Sequence, residues 1–145
     1  MYKHILIASD GSDLSGKAVD AGIQLAAQLQ ARATVVTVTP PFQMFSLNPD
    51  QIEYSRAEYR QHVEQEARRI LDEARQKAEA VGLPCDTVHA VHEHPWQAII
   101  ETADARGCDL ITMSSHGRSG FTAIVMGSET QRVLTHSALP VLVHR

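Results

Sequence analysis

Ser114-Ser115-His116-Gly117-Arg118-Ser119-Gly120 is the stretch of this chain whose residue types could do chemistry. It follows an apolar run, and six mostly apolar residues separate it from Gly127-Ser128-Glu129-Thr130. Glycine tolerates positive φ and lets a backbone come close to a ligand, so Gly117 and Gly120 can turn several N–H groups toward one point. Ser128 opens a helix, whose first N–H groups and dipole favour an anion. Ser115, Ser119 and Ser128 add hydroxyls, and His116 and Arg118 can supply positive charge. Two such clusters around one short connection point to a phosphate-binding site.

A competing phosphate motif fails on its chemistry. Gly11 to Ala18 reads Gly, four residues, Gly-Lys, close to the P-loop that cradles nucleotide phosphates. Ala18 stands where that loop needs a hydroxyl for magnesium, and Leu110-Ile111-Thr112-Met113 runs into Ser114 rather than into a second metal-binding acid. Ser12 and Asp13 read as helix caps, which puts Gly16 and Lys17 inside a helix with Lys17 toward solvent. His89, His92 and His94 cluster near a strand end, but no acid or cysteine completes a ligand set, so no metal site is expected. Cys85 and Cys108 each precede an Asp in no metal or redox spacing and read as buried thiols. Trp96 and Phe121 are expected to pack on the sheet or its loops, and no catalytic residue can be identified.

The elements that position the glycine-serine clusters alternate strictly. His4 to Ala8 reads as a strand, and Ser12 or Asp13 caps a helix to about Gln30 with an apolar stripe at Leu14, Ala18, Ala21, Leu25 and Leu29. Ala33 to Thr39 is a second strand, stopped by Pro40-Pro41. A long helix from about Asp50 to Val81 ends at Gly82 and Pro84, and its mixed charges read as a solvated face. Thr87 to Val91, Pro95 to Arg106, and Asp109 to Met113 give strand, helix, strand. The last helix starts at Ser128, with Gln131 at capping-box spacing, and Pro140 to His144 is a fifth strand. This alternation predicts an α/β, doubly wound, open five-stranded parallel sheet with helices on both faces. In such sheets ligands bind beyond the carboxyl ends of the strands, where strand order reverses. Ser9-Asp10-Gly11-Ser12 and Ser114 to Gly120 would share one crevice if the first and fourth strands are neighbours.

At 145 residues the chain is expected to form a single domain, 1–145. A formal charge of −4, with signs mixed, offers no footprint for nucleic acid or an anionic membrane. Met1 to Ala8 carries one Lys and only a short apolar run before Ser9 and Asp10, too short for a leader or membrane span, so a cytoplasmic location is expected.

The same residues carry a resemblance to the universal stress protein family. Its nucleotide-binding members show Gly, two residues, Gly, nine residues, then Gly with Ser or Thr. Here the corresponding positions are Ser114, Gly117, Gly127 and Ser128, with nine residues between the last two glycines. The likeness extends to Ile5-Leu6-Ile7-Ala8-Ser9-Asp10-Gly11-Ser12, to Thr34 to Val38, and to Pro140-Val141-Leu142-Val143. The resemblance implies a Rossmann-like fold and ATP, with or without Mg2+, as ligand. It implies that Asp10 lies near the ribose or adenine, with Ala8 and Ser9 along that wall. The residue alone allows another role for Asp10, stabilising the helix start. Val38 would offer backbone groups to the adenine edge, and Gly117, Gly127, Ser128 and Thr130 would hold phosphates. Ser114, the one departure, would lie on the ribose side, and Glu129 must turn its charge away from an anion. A homodimer through Val141 to Val143 is also implied, consistent with an apolar edge strand. Three functions remain open: an ATP-dependent binding or signalling module in stress response, a slow ATPase or phosphotransferase, and a nucleotide-free dimeric stress protein.

Overall fold

A computed structural model describes residues 1–42, 49–117 and 126–145, the side chains of 49–54 apart. The elements follow as β1 (His4–Ala8), α1 (Asp13–Gln28), β2 (Arg32–Thr39), α2 (Pro49–Ala80), β3 (Cys85–Val91), α3 (Pro95–Ala105), β4 (Leu110–Ser114), α4 (Ser128–His136) and β5 (Val141–His144). β1 is buried along its whole length, which is why it reads as a near-continuous apolar run. Its polar residue, His4, contacts the Thr34 hydroxyl at 2.7 Å, and burial lowers its pKa below the usual histidine value.

Helix ends follow from local backbone chemistry. The Ser12 hydroxyl caps α1 by accepting the Ser15 N–H at 3.2 Å. Ser12→Ala should cost about 1 kcal/mol, read as a fall of about 3 °C in the thermal midpoint. At its other end α1 stops at Gln28, short of the expected Gln30, because Gln30 takes φ 55°. Gln30 N–H donates to Ala27 C=O and Ala31 N–H to Ala26 C=O, closing the helix without glycine. Gly82 (φ 68°) and Gly107 (φ 69°) close α2 and α3 by the same pattern. β3 begins at Cys85 rather than Thr87, since Ala33 N–H already bonds Pro84 C=O and pairing continues from there.

All strand pairs are parallel, in the order β3-β2-β1-β4-β5. The chain winds outward from β1 through β2 to β3, then returns to the other side of β1 with β4 and β5. Strand order therefore reverses between β1 and β4, as a doubly wound sheet requires. On one face Ile5, Ile7 and Val35 pack against Val19 and Ile23 of α1 and Leu71 and Ala74 of α2. On the other, Leu6, Val36 and Ile111 pack against Ile99 and Ala103 of α3 and Val133 of α4. The outer face of α2 is solvated as expected, Arg69 reaching Glu66 at 2.6 Å and Glu73 at 2.9 Å. Among the described residues no helix is long and apolar enough to cross a membrane.

Candidate functional site

Ile5, Leu6 and Ile7 pair with Leu110, Ile111 and Thr112, so the loops leaving β1 and β4 emerge side by side. The first is a tightly bonded turn. Ser9 N–H donates to Val36 C=O at 2.9 Å, the last rung between β1 and β2. The buried Ser15 hydroxyl donates to the Ser9 hydroxyl at 3.1 Å and accepts the Asp10 N–H at 3.0 Å. Asp10 Oδ1 accepts the Ser12 N–H at 2.9 Å, pinning the turn across Gly11, whose φ is 82°. Asp10 thus stabilises the start of α1 while facing the neighbouring loop. Sequence reading passed over Ser15 and the need for glycine at position 11; the Ser12-x-x-Ser15 spacing was the available signal.

The second loop is bound to both β5 and α4. Ser115 N–H donates to His144 C=O and Gly127 N–H to Ser115 C=O, each at 2.7 Å. The Thr130 hydroxyl donates to Ser114 C=O at 2.9 Å. The Ser114 hydroxyl donates to His116 C=O at 2.6 Å, so the departure from glycine adds a brace within the turn. Its φ is not positive, so the side chain sits there without backbone strain. The buried His116 has Nδ1 2.8 Å from the Ser115 hydroxyl, while its buried Nε2 has no partner among the described residues.

The two loops touch at Gly117. A Cβ there would overlap Asp10 Oδ2, the end of a side chain, so a larger residue must displace that carboxylate; the φ of Gly117 is not positive, contrary to the conformational reason expected. At Gly127 a Cβ would stand 3.2 Å from Ser115 O, here an approach of backbone on backbone. Arg118, Ser119, Gly120 and Phe121 lie outside the described residues.

α4 starts differently from the capping box expected at Ser128. Gly127 is the N-cap, with no side-chain cap bond, and Ser128 is the first helical residue. Gln131 reaches Met126 C=O at 3.0 Å instead of turning back to the cap. The first intrahelical bond runs from Gln131 N–H to Gly127 C=O, so the N–H groups of Ser128, Glu129 and Thr130 precede the ladder. Glu129 turns its charge away: Oε2 accepts the Trp96 N–H at 2.8 Å, and Oε1 lies 3.5 Å from Arg132. That carboxylate caps α3, whose own N-cap residue His94 makes no side-chain cap bond. Glu129→Ala should therefore destabilise the fold by about 1 kcal/mol, a loss measurable by urea denaturation.

Val38 sits where the β1 edge of β2 runs on alone. Backbone groups two residues apart point the same way along a strand, and the rung at Val36 is the last that β1 supplies. The Val38 N–H and C=O consequently face the space beyond Ala8 and Ser9. Trp96 packs at the core margin and stacks on His136 with centroids 4.5 Å apart. Gly16 and Lys17 lie within α1, away from a phosphate loop. Among the described residues no group of three His, Cys, Asp or Glu side chains is placed to hold a metal ion.

The winding of the sheet and the meeting of these two loops at its switch point define a doubly wound α/β protein with a crevice between β1 and β4. The chain belongs to the universal stress protein family, whose model matches residues 1–145. It is 34% identical over 149 aligned positions to universal stress protein YxiE of Bacillus subtilis, covering 100% of both chains. It is 29% identical to universal stress protein MJ0531 of Methanocaldococcus jannaschii, over 99% of this chain and 82% of that one. Among solved structures, hypothetical protein MJ0577 superposes with a TM-score of 0.81 at 25% identity, covering 99% of this chain and 95% of that one. A universal stress protein in complex with cAMP gives 0.68 at 27% identity, covering 98% and 95%.

Proposed function

We propose that this protein binds an adenine nucleotide, ATP with or without Mg2+, in the crevice between β1 and β4. On this reading it acts as a nucleotide-dependent binding module of the stress response, residues 1–145 forming one cytoplasmic domain. The observation that carries the reading is the close approach of glycine backbone at Gly117 and Gly127 beside the three leading N–H groups of α4. Such N–H groups at a helix start favour an anion. In this assignment Gly117, Gly127, Ser128 and Thr130 surround the phosphates, with the Glu129 backbone joining them while its carboxylate stays on α3. Arg118 and His116 add positive charge, and Ser114 lies on the ribose side. Ala8, Ser9 and Asp10 form the opposite wall, and the Val38 backbone reads the adenine edge. The relative solved with cAMP supports an adenine nucleotide as the ligand class.

A homodimer through Val141 to Val143 accompanies this proposal. Among the described residues β5 is an edge strand paired with β4 alone, and Leu142 is 40% exposed. Light scattering should give twice the chain mass.

Denaturing freshly purified protein and identifying the released small molecules by mass spectrometry tests the ligand. ATP at near-stoichiometric amount supports the proposal, and following ADP over time then reads any slow turnover. No released nucleotide, together with no binding at millimolar concentration, would overturn it.

A further inference from the structure

A cavity that shares no residue with the proposed nucleotide crevice opens on the α2 face of β2, at its carboxyl end. β2 and β3 stay paired up to Thr39 and Val91, and the side chains of Thr39 and His89 project toward α2. Together with the Pro40–Phe42 segment and α2 they line a groove of about 390 Å³. That volume lies in the small-molecule range of roughly 300–1,000 Å³. Its walls are fixed by specific contacts. The Thr39 hydroxyl lies 2.8 Å from His89 Nε2, and the Tyr59 hydroxyl donates to Pro40 C=O at 2.8 Å. The Phe42 and Tyr59 rings stand 5.4 Å apart and make an aromatic side to the groove.

Arg56 and Arg60 stand at the open rim, one turn apart on the same face of α2. The Arg56 guanidinium is held over the Phe42 ring, 5.8 Å from its centroid. Neither arginine forms an ion pair among the described residues. Two neighbouring like charges repel, and among the described residues Glu64 is the carboxylate lining this groove, so these side chains give the rim an excess of positive charge. Planar guanidiniums match planar or tetrahedral oxyanions through paired N–H groups.

We infer that this groove binds a small organic anion with a flat apolar body, an aromatic carboxylate or sulfonate. The anionic group meets Arg56 and Arg60, and the ring lies against Phe42 and Tyr59. The groove lies on the α2 face of β2, whereas the Val38 backbone groups point along the sheet toward β1, so this site and the proposed nucleotide crevice can be filled together.

Fluorescence titration of the full chain with anilinonaphthalene sulfonate tests the inference. The expected result is saturable single-site binding that Arg56→Gln/Arg60→Gln weakens about tenfold, the loss of charge-assisted hydrogen bonds. The exposed Arg68→Gln exchange should leave it unchanged, and excess ATP should not displace the probe. Phenylnaphthylamine, the same rings without the sulfonate, should bind more weakly and ignore the double exchange. Both rim arginines are exposed, so the variant should keep its circular dichroism spectrum and thermal midpoint. Equal affinity in the double variant, displacement by ATP, or no saturable binding overturns the inference.

Discussion

Gly117→Val is expected to weaken ATP binding about 100-fold, a loss near 3 kcal/mol, while the thermal midpoint moves by only a few degrees. The reason is local. Even a single methyl group at this position would occupy the space of Asp10 Oδ2. Asp10 in turn holds the Ser12 N–H, so relief of the clash must either swing the carboxylate off the β1–α1 turn or push the loop after β4 outward. Either movement separates the two walls proposed to hold the nucleotide, and several hydrogen bonds are lost together. The backbone at Gly117 is exposed, in contrast to the core beneath it, which limits the cost to folding. Calorimetric titration with ATP alongside thermal melting separates the two effects. Unchanged affinity would show that nucleotide contacts lie elsewhere.

The largest effect on stability is expected at Gly22, in the middle of α1. A Cβ there would stand 2.9 Å from the Thr112 hydroxyl oxygen and 3.0 Å from two side-chain atoms of Ile7. Ile7 and Thr112 are both fully buried, so neither has room to withdraw. Helix propensity alone argues for replacing a helical glycine, by up to about 1 kcal/mol, but here the helix lies directly on the sheet. Gly22→Val adds two further methyl groups to that contact. It should cost about 3 kcal/mol, the upper part of the usual range for an overfilled core, and lower the thermal midpoint by about 10 °C. A midpoint equal to that of the parent chain would show that α1 can lift from β1 and β4 without penalty.

These two glycines show where sequence was informative and where it was not. Gly117 stood out because it lies in a cluster whose composition suggests anion binding, yet its actual constraint comes from Asp10, which is distant in sequence and close only through β1–β4 pairing. Gly22 carries no local signal, since its need arises from a helix resting on two strands. Strand and helix order was legible because apolar period and turn residues are local properties, and both agree here with the winding of the sheet. The end of α1 was less so. Gln30 does the work usually done by glycine, and nothing in its type announces a positive φ.

At the proposed site, residue types pointed to the backbone groups proposed to hold an anion but not to the way α4 is capped. Ser128 and Gln131 have the spacing of a capping box, whereas the short contact between Gly127 and Ser115 sets the cap one residue earlier. Glu129 was recognisable as a charge that had to turn away. Its destination, the Trp96 N–H, depends on α3 and α4 lying side by side, which no local pattern encodes. Ser114 is braced by a local contact instead, its hydroxyl being taken up within the turn by His116 C=O.

The central claim is tested most directly by titrating ATP into isotope-labelled protein and following each backbone amide by nuclear magnetic resonance. The account predicts saturable shifts at Asp10, Val38, Ser114 to Gly117 and Gly127 to Thr130, with the amides around Arg56 and Tyr59 unmoved. Absence of any shift at millimolar ATP, or shifts confined to residues outside the β1–β4 crevice, would contradict it.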